Sequence, residues 1–394
     1  MGLVEMATPK HGTRPRNRRA LILEAAARLF VGDGYPQVSI NDIASATAVT
    51  PPALYRHFRS KEELLYETVA SQFVVVHETL ETRRPWAEQR EALAKVMLAH
   101  RGIGILWQRE SRHLDPERRD ELRVQLIEIQ RALAERLRGH RPGLNAREVD
   151  LLAWSTLTAT MSISFQSVHL PHAEYAQLLI AIIGDVTGTD LSSVSVTATP
   201  RRAAVPIQVD ATADRLVQAA LKLFAERGFR SVGINDVAAA VGIAGPSAYN
   251  HYNSKVALLT AAIGDGARVL MSEESAILAE NLTPRETLRR LLRSYVDFSF
   301  ANQHVLDLMI TETNNLDPRE RSLGIKQQRD YLRAWVRVLQ EEQPYLTAAH
   351  ARVRVQAVLT LTNDLARTAH LRLQPGVKEA TMAIGASILG LEQG

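Results

Sequence analysis

At 394 residues the chain is long enough for two or three domains that each bury a core. A hydrophobic share of 46% with 23% charged residues is that of a soluble globular protein, and the lack of cysteine excludes disulfides, thiolate metal sites and cysteine nucleophiles. No apolar run approaches the roughly 18 residues of a membrane span and no apolar signal core opens the chain, so the cytoplasm is the expected location and no membrane partner is expected. The net charge of +4 is small but uneven. Lys10, Arg14, Arg16, Arg18 and Arg19 face only Glu5 within the first twenty residues, a basic arm (residues 1–14 and just beyond) suited to a polyanion, or otherwise a solvated tail.

In chain order the elements read as helices. Arg18 to Phe30 carries Leu21, Ile22, Ala25, Ala26, Leu29 and Phe30 on one stripe, and Gly32 with Gly34 should stop it. A short helix is expected from Ser39 to about Ala46, where Ser39 and Asp42 make a capping-box-like start. A third opens at Thr50-Pro51 and ends near Phe58, with Thr50 as its cap. Ser60 with Glu63 caps a fourth. Two short helices a few residues apart, the second firmly capped, are the helix-turn-helix pattern. Longer helices follow at roughly 86–110, 115–139, 146–169 and 172–185, punctuated by Pro116, Pro142 and Pro171. Residues 188–210 shift to Ser, Thr, Ala and Val with Pro200 and Pro206, a linker in which Ser193–Thr199 has strand character. Beyond it Leu216, Val217, Ala220, Leu223 and Phe224 form another stripe, ended by Gly228. Long segments follow at about 264–281, 284–314, 318–342, 347–371 and 377–391. No alternation supports a sheet, so the fold class is all-α.

The second half repeats the first. Asn41-Asp42-Ile43-Ala44, Tyr55-Arg56-His57-Phe58 and Ser60-Lys61 recur as Asn235-Asp236-Val237-Ala238, Tyr249-Asn250-His251-Tyr252 and Ser254-Lys255, each 194 positions on. From Leu29 to Leu65 roughly sixteen of about thirty-seven positions are identical without a gap. A period this long is a duplicated domain and not a solenoid, whose units run to roughly 50 residues.

These motifs, Ile40-x-x-Ile43-Ala44, Val49-Thr50, Leu54-Tyr55-x-His57-Phe58 and Lys61-x-x-Leu64-Leu65, resemble the N-terminal DNA-binding domain of TetR-type transcriptional repressors. Their second-copy counterparts, including Ile234-x-x-Val237-Ala238 and Gly242-Ile243, resemble it too. The resemblance implies two tandem units, each a three-helix reader followed by a helical domain for effector binding and dimerisation. The boundaries then fall at 15–66 and 67–187, and, after the linker, at 211–260 and 261–394. In architecture the chain is similar to the tandem TetR-type regulators of actinobacteria that govern lipid-import (mammalian-cell-entry) operons. Repression and an effector-released operator are what the family implies.

A recognition helix enters a major groove about 12 Å wide with its first residues at base edges, and Thr50, Pro51, Pro52 and Ala53 are compact enough for that approach. Candidate DNA contacts in the first copy are Ser39, Thr50, Pro51, Ala53, Tyr55, Arg56, His57 and Lys61, with Lys61 and the tyrosine hydroxyl as phosphate partners. Thr50 cannot fully cap its helix and donate to a phosphate at once. Leu54, Phe58 and much of Tyr55 are expected to pack. In the second copy the candidates are Asn235, Ala244, Gly245, Ser247, Tyr249, Asn250, His251 and Lys255. The copies differ: Ser39, Thr50, Arg56, Arg59 and Glu63 become Gly233, Ala244, Asn250, Asn253 and Ala257, so hydroxyl caps and cations are lost. Arg favours guanine and Asn favours adenine, which points to a double-stranded DNA operator that is not a palindrome, with the first copy supplying more of the affinity.

Two copies in one chain let the dimer contact close within the molecule, through 146–169 and 172–185 with 347–371 and 377–391. A monomeric pseudo-dimer is therefore expected, a homodimer with four readers being the alternative. A small hydrophobic or lipid-like effector is expected among Met97, Trp107, Met161 and Phe165 in the first half and Phe298, Met309 and Trp335 in the second, positions that a packed core explains as readily. No catalytic constellation, cofactor motif or metal site is found: His169 and His172 lack a further ligand, and Glu110, Arg112, Arg118 and Arg119 read as an exposed salt-bridging face. The competing reading is a helical protein-interaction scaffold in which one or both helix-turn-helix units do not bind DNA.

Overall fold

The computed structural model describes residues 18–192, 194 and 212–391, and every regular element among them is helical. The chain divides into two compact units, one ending at Gly188 and the other starting at Thr189, each described below by itself. Lys10, Arg14 and Arg16 of the basic arm, and most of the 188–210 linker with its strand-like 193–199 segment, lie outside the described residues. No helix among the described residues is long and apolar enough to cross a membrane.

The first unit begins with α1 (Arg18–Asp33), α2 (Ile40–Ala46), α3 (Pro51–Tyr55) and α4 (Lys61–Glu81). The α1 stripe buries Ile22, Ala26 and Phe30 completely, and α1 packs on α2 and α4, whose Ile43 and Leu64 are buried as well. The helix runs past Gly32 and turns only at Gly34. Since α4 packs on both α1 and α7, one helix belongs to the reader and to the domain behind it. There follow α5 (Trp86–Ala99), α6 (Ile103–Ile105), a π-helical turn at Leu106–Glu110, a 3-10 turn at Ser111–His113, α7 (Pro116–His140), α8 (Ala146–Met161), a 3-10 turn at Ser162–Phe165 and α9 (His172–Gly188).

Two helices expected to be continuous are broken, and one side chain accounts for both breaks. Arg101, at the end of α5, donates to the carbonyls of Ile163 (3.0 Å), Gln166 (2.8 Å) and Val168 (3.1 Å). The 86–110 segment therefore turns at His100–Gly102, and the 146–169 segment leaves the helix after Met161 with its carbonyls committed to a guanidinium. Periodicity reports only which face is apolar, so it runs through such a break.

The second unit repeats the order: α10 (Thr212–Arg227), a 3-10 turn at Phe229–Ser231, α11 (Ile234–Ala240), α12 (Gly245–Tyr249), α13 (Lys255–Leu278), α14 (Pro284–Ala301), α15 (Gln303–Thr311), a 3-10 turn at Thr313–Asn315, α16 (Pro318–Glu342), α17 (Ala348–Arg367), α18 (Ala369–Arg372) and α19 (Val377–Ile388). The segment expected at 264–281 is the latter part of α13. The 284–314 helix is cut at Asn302, whose side-chain amide donates to the Phe298 carbonyl at 2.9 Å, and the 347–371 helix is cut at Thr368. The readers stand 194 positions apart (Lys61 and Lys255), whereas the helices behind them stand 202 apart (Pro116 and Pro318, Ala146 and Ala348).

Arg101→Leu strips a charged donor from three carbonyls and should destabilise the first unit by about 3 kcal/mol. Arg123→Leu, on the exposed face of α7 beside Asp120, should cost less than about 1 kcal/mol, and urea unfolding of the two variants compares them directly. In the second unit Glu274 on α13 is 7% exposed, and burial pushes its carboxyl from 4.5 up to about 8 against the pull of Arg337. A carboxyl that holds its proton more tightly when folded contributes stability that is complete below about pH 4.5 and is lost as pH rises to about 8. Calorimetry across that range should show a falling thermal midpoint, which Glu274→Gln flattens.

Candidate nucleic-acid interface

In the first reader Ser39 and Asp42 form a reciprocal cap. The Asp42 amide donates to Ser39 Oγ (3.2 Å), and the Ser39 amide donates to Asp42 Oδ2 (2.7 Å). The Ser39 hydroxyl also donates to Asp42 Oδ2 at 2.7 Å, and this bond, followed by that of the Ser39 amide, holds the Asp42 carboxyl below its usual range. The turn that follows places Ala48 at φ +51, a left-handed conformation that costs an L-residue roughly 1–2 kcal/mol; the second copy has Gly242 there at φ +77. Thr50 occupies the N-cap position of α3 but makes no side-chain cap, contrary to expectation. Pro51 and Pro52 have no N–H, and the first free donor, Ala53 N, is taken by the Thr50 carbonyl at 2.9 Å. The hydroxyl has nothing to cap and is exposed. Replacing Thr50 by Ala244 therefore loses a surface hydroxyl and no cap.

Leu54 and Phe58 are buried, as expected, but Tyr55 stands out of the reader with 51% of its surface exposed. Its counterpart Tyr249 is 52% exposed, so the same ring is presented in both copies and packing does not explain it. Arg56, His57 and Arg59 are exposed beside Tyr55, and Asn250, His251 and Asn253 beside Tyr249. Ser247 is exposed, while Pro51, Ala53 and Gly245 are half-buried at the starts of their helices. Gly245 admits Asn235: a Cβ there would stand 2.0 Å from Asn235 Oδ1. The helix after each reader is capped by Ser60, which accepts from Glu63 N at 3.0 Å, and by Ser254, which accepts from Ala257 N at 3.0 Å. Only Glu63 answers back, to the amide of Arg59.

The two lysines expected to clamp phosphate turn inward. Lys61 Nζ lies 4.1 Å from the centre of the Tyr35 ring, and burial lowers its pKa against the opposing pull of Asp42 and Glu110. Lys255 Nζ donates to the Phe229 carbonyl at 2.7 Å and lies 4.3 Å from that ring. Each ammonium braces the turn between the first two helices of its reader.

Behind that turn sits a buried carboxylate. Glu110, expected on an exposed face, is 1% exposed, and its Oε2 accepts from the Tyr35 amide at 2.7 Å. Arg109 pairs with Glu110 and donates to the Val31 carbonyl at 3.0 Å, at the end of α1. In the second unit Glu312, 4% exposed, meets the Phe229 amide at 3.5 Å. No signal marked these two glutamates in the sequence, because they stand 202 positions apart and a comparison at the reader's offset of 194 does not align them.

Among the residues expected to line an effector site, Met97, Met161, Phe298 and Trp335 are buried, and Trp107, Phe165 and Met309 are half-buried. A shallow cavity of about 460 Å³ lies elsewhere, on α16 and α17, where Arg333, Arg337 and Arg352 dominate its wall.

Replacing Glu110 by Leu leaves the Tyr35 amide without an acceptor and Arg109 without its counter-charge. The expected cost in urea unfolding is about 3 kcal/mol, against about 1 kcal/mol for Glu110→Gln, which keeps an acceptor.

Residues 22–68 and 216–262 both match the family described as bacterial regulatory proteins, tetR family, and residues 281–367 match the tetracyclin repressor-like C-terminal domain. The chain is 28% identical over 126 residues to the HTH-type transcriptional repressor KstR2 of Rhodococcus jostii strain RHA1, covering 32% of this chain and 62% of that one. It is 44% identical over 57 residues to the HTH-type transcriptional activator FasR of Mycolicibacterium smegmatis, covering 14% and 26%. The chain thus spans less than two thirds of the length of either relative. The structure of the ketosteroid transcriptional regulator KstR2 of Mycobacterium tuberculosis aligns with a TM-score of 0.39 at 22% identity, over 46% of this chain and 95% of that one. With the family's N-terminal DNA-binding helix-turn-helix domain present twice and a C-terminal domain after the second, the chain belongs to the TetR family of bacterial transcriptional regulators.

Proposed function

We propose that the chain is a ligand-released repressor acting in the cytoplasm, which reads a non-palindromic duplex operator with two unlike helix-turn-helix units and is released by a small hydrophobic, lipid-like effector. The observation that carries this reading is the pair of exposed recognition faces. Tyr55 and Tyr249 are shared and suit phosphate, whereas Thr50, Arg56 and Arg59 of the first copy face Ala244, Asn250 and Asn253 of the second. Cations at two of three differing positions give the first copy the larger electrostatic share of binding. Repression is the activity in the name of the Rhodococcus relative.

The readers fall at 15–66 and 211–260 and the effector and dimerisation domains at 67–187 and 261–394. One chain acts as a monomeric pseudo-dimer, the duplicated half standing in for a second subunit, with a homodimer as the alternative. The governed genes belong to lipid import, a reading supported by the two-copy architecture alone.

The test is the mass in solution of the full chain, alone and on a duplex selected from random sequence. One chain per duplex is expected, with symmetric duplexes built from either half-site binding at least about tenfold more weakly than the selected one. Arg56→Asn should weaken binding about tenfold and lower the slope of log affinity against log salt by about one. Two chains per duplex, or equal affinity for a perfect palindrome, would overturn the reading.

A further inference from the structure

The cores of the two helical domains differ in one cluster of matched positions that is apolar in the first unit and polar in the second. Aligning α4 with α13 by the reader's register, and the later helices by theirs, sets Leu80 of the first unit against Glu274 of the second. Leu93, Met97, Ile129, Leu133 and Met161 then correspond to Tyr295, Ser299, Tyr331, Trp335 and Asn363. All six first-unit residues are aliphatic or methionine and at most 3% exposed. All six second-unit residues carry a polar atom, and five of them are at most 8% exposed.

The second-unit residues are in contact with one another. Tyr295 Oη donates to Asn363 Oδ1 at 2.8 Å, and the Ser299 hydroxyl lies 3.5 Å from the same oxygen. Tyr295, Tyr331 and Trp335 meet with ring centres 6.1 to 6.3 Å apart. The Trp335 indole nitrogen is buried without a hydrogen-bond partner. From α13, which packs on α16, Glu274 is 7% exposed, and its buried Oε1 has no hydrogen-bond partner.

Burying polar groups costs stability, and an unpaired carboxyl oxygen costs most. The fold does not need them: the first unit closes the same place with aliphatic side chains. A buried carboxyl that releases its proton to solvent as an ammonium group seats on it, beside aromatic faces, is the chemistry that holds an organic cation, by ion pairing and by attraction to the ring quadrupole.

We propose that the second unit alone holds the effector site, and that its ligand carries a cationic amine, seated on Glu274 beside the Tyr331 ring, on an otherwise apolar frame. The first unit is the packed partner without a site. This rests on the ligand-responsive reading above and narrows its effector from lipid-like to amine-bearing.

Calorimetric titration of the full chain without DNA tests it, with decylamine as the probe and decanoate as the control of opposite charge. One decylamine per chain is expected, with decanoate at least about tenfold weaker. Glu274→Leu places in α13 the residue type that Leu80 supplies in α4, so it should fold with an unchanged or higher thermal midpoint and lose at least about tenfold in decylamine affinity. Two equivalents per chain, decanoate binding as tightly, no saturable binding, or full affinity in Glu274→Leu would each overturn the proposal. Adding the selected duplex keeps the two readings apart. A chain that takes up the amine but stays on DNA overturns ligand release and leaves the site standing, whereas a chain that binds DNA and takes up no amine overturns the site alone.

Discussion

A buried carboxylate on the amide of the turn after the first helix is the contact on which each unit depends. Glu110 reaches the Tyr35 amide from the domain behind the reader, and Glu312 reaches Phe229 in the same way. A carboxylate in the interior is tolerated only where hydrogen bonds and a counter-charge compensate its lost hydration. In the first unit Arg109 completes the set by pairing with Glu110 and gripping the carbonyls at the end of α1. The π-helical turn at Leu106–Glu110 brings both neighbouring side chains to that end of the reader. A displacement of this turn must move α1 or break charged hydrogen bonds, and this makes the contact a mechanical link between the reader and the helices behind it.

The link is unequal in the two copies. The bond in the second unit is 3.5 Å, at the limit for a hydrogen bond, and the residue matching Arg109 is Thr311, whose hydroxyl is spent on the Asp307 carbonyl. The same asymmetry runs through the molecule. The first copy has a reciprocal cap on α2, Glu63 answering at α4, two arginines on its exposed recognition face and an aliphatic core. In the second copy there is glycine at that cap, asparagines on that face and a polar cluster in the core.

Much of this architecture was legible in the residues. The all-helical class, the duplication and the Ser39 and Ser60 caps follow from short-range patterns, since a cap or an amphipathic stripe is decided within one turn or one face of a helix. The exposure of Arg56 and His57 was legible for the same reason, as they stand between the buried Leu54 and Phe58, whereas Pro51 and Ala53, read as exposed, are half-buried. Much of what was misread depends on partners distant in sequence. Arg101 breaks two helices by reaching more than sixty residues ahead, and Glu110 is buried by an amide 75 residues behind it. Lys61 looks like a phosphate clamp until the Tyr35 ring is found beneath it.

The sequence by itself determined the helices, their order, the two copies and the family to which they belong, because these rest on local periodicity, capping chemistry and repeated motifs. Only the tertiary structure decided which charges face solvent and which are consumed inside. It turned Lys61 and Lys255 inward, buried Glu110 and Glu312, and gathered Glu274, Tyr295, Tyr331, Trp335 and Asn363 from four helices into one cluster. The physical reason is that the state of a charged or polar side chain is set by its desolvation and its partners. Both are properties of the packed molecule, and neither belongs to the segment in which the residue lies.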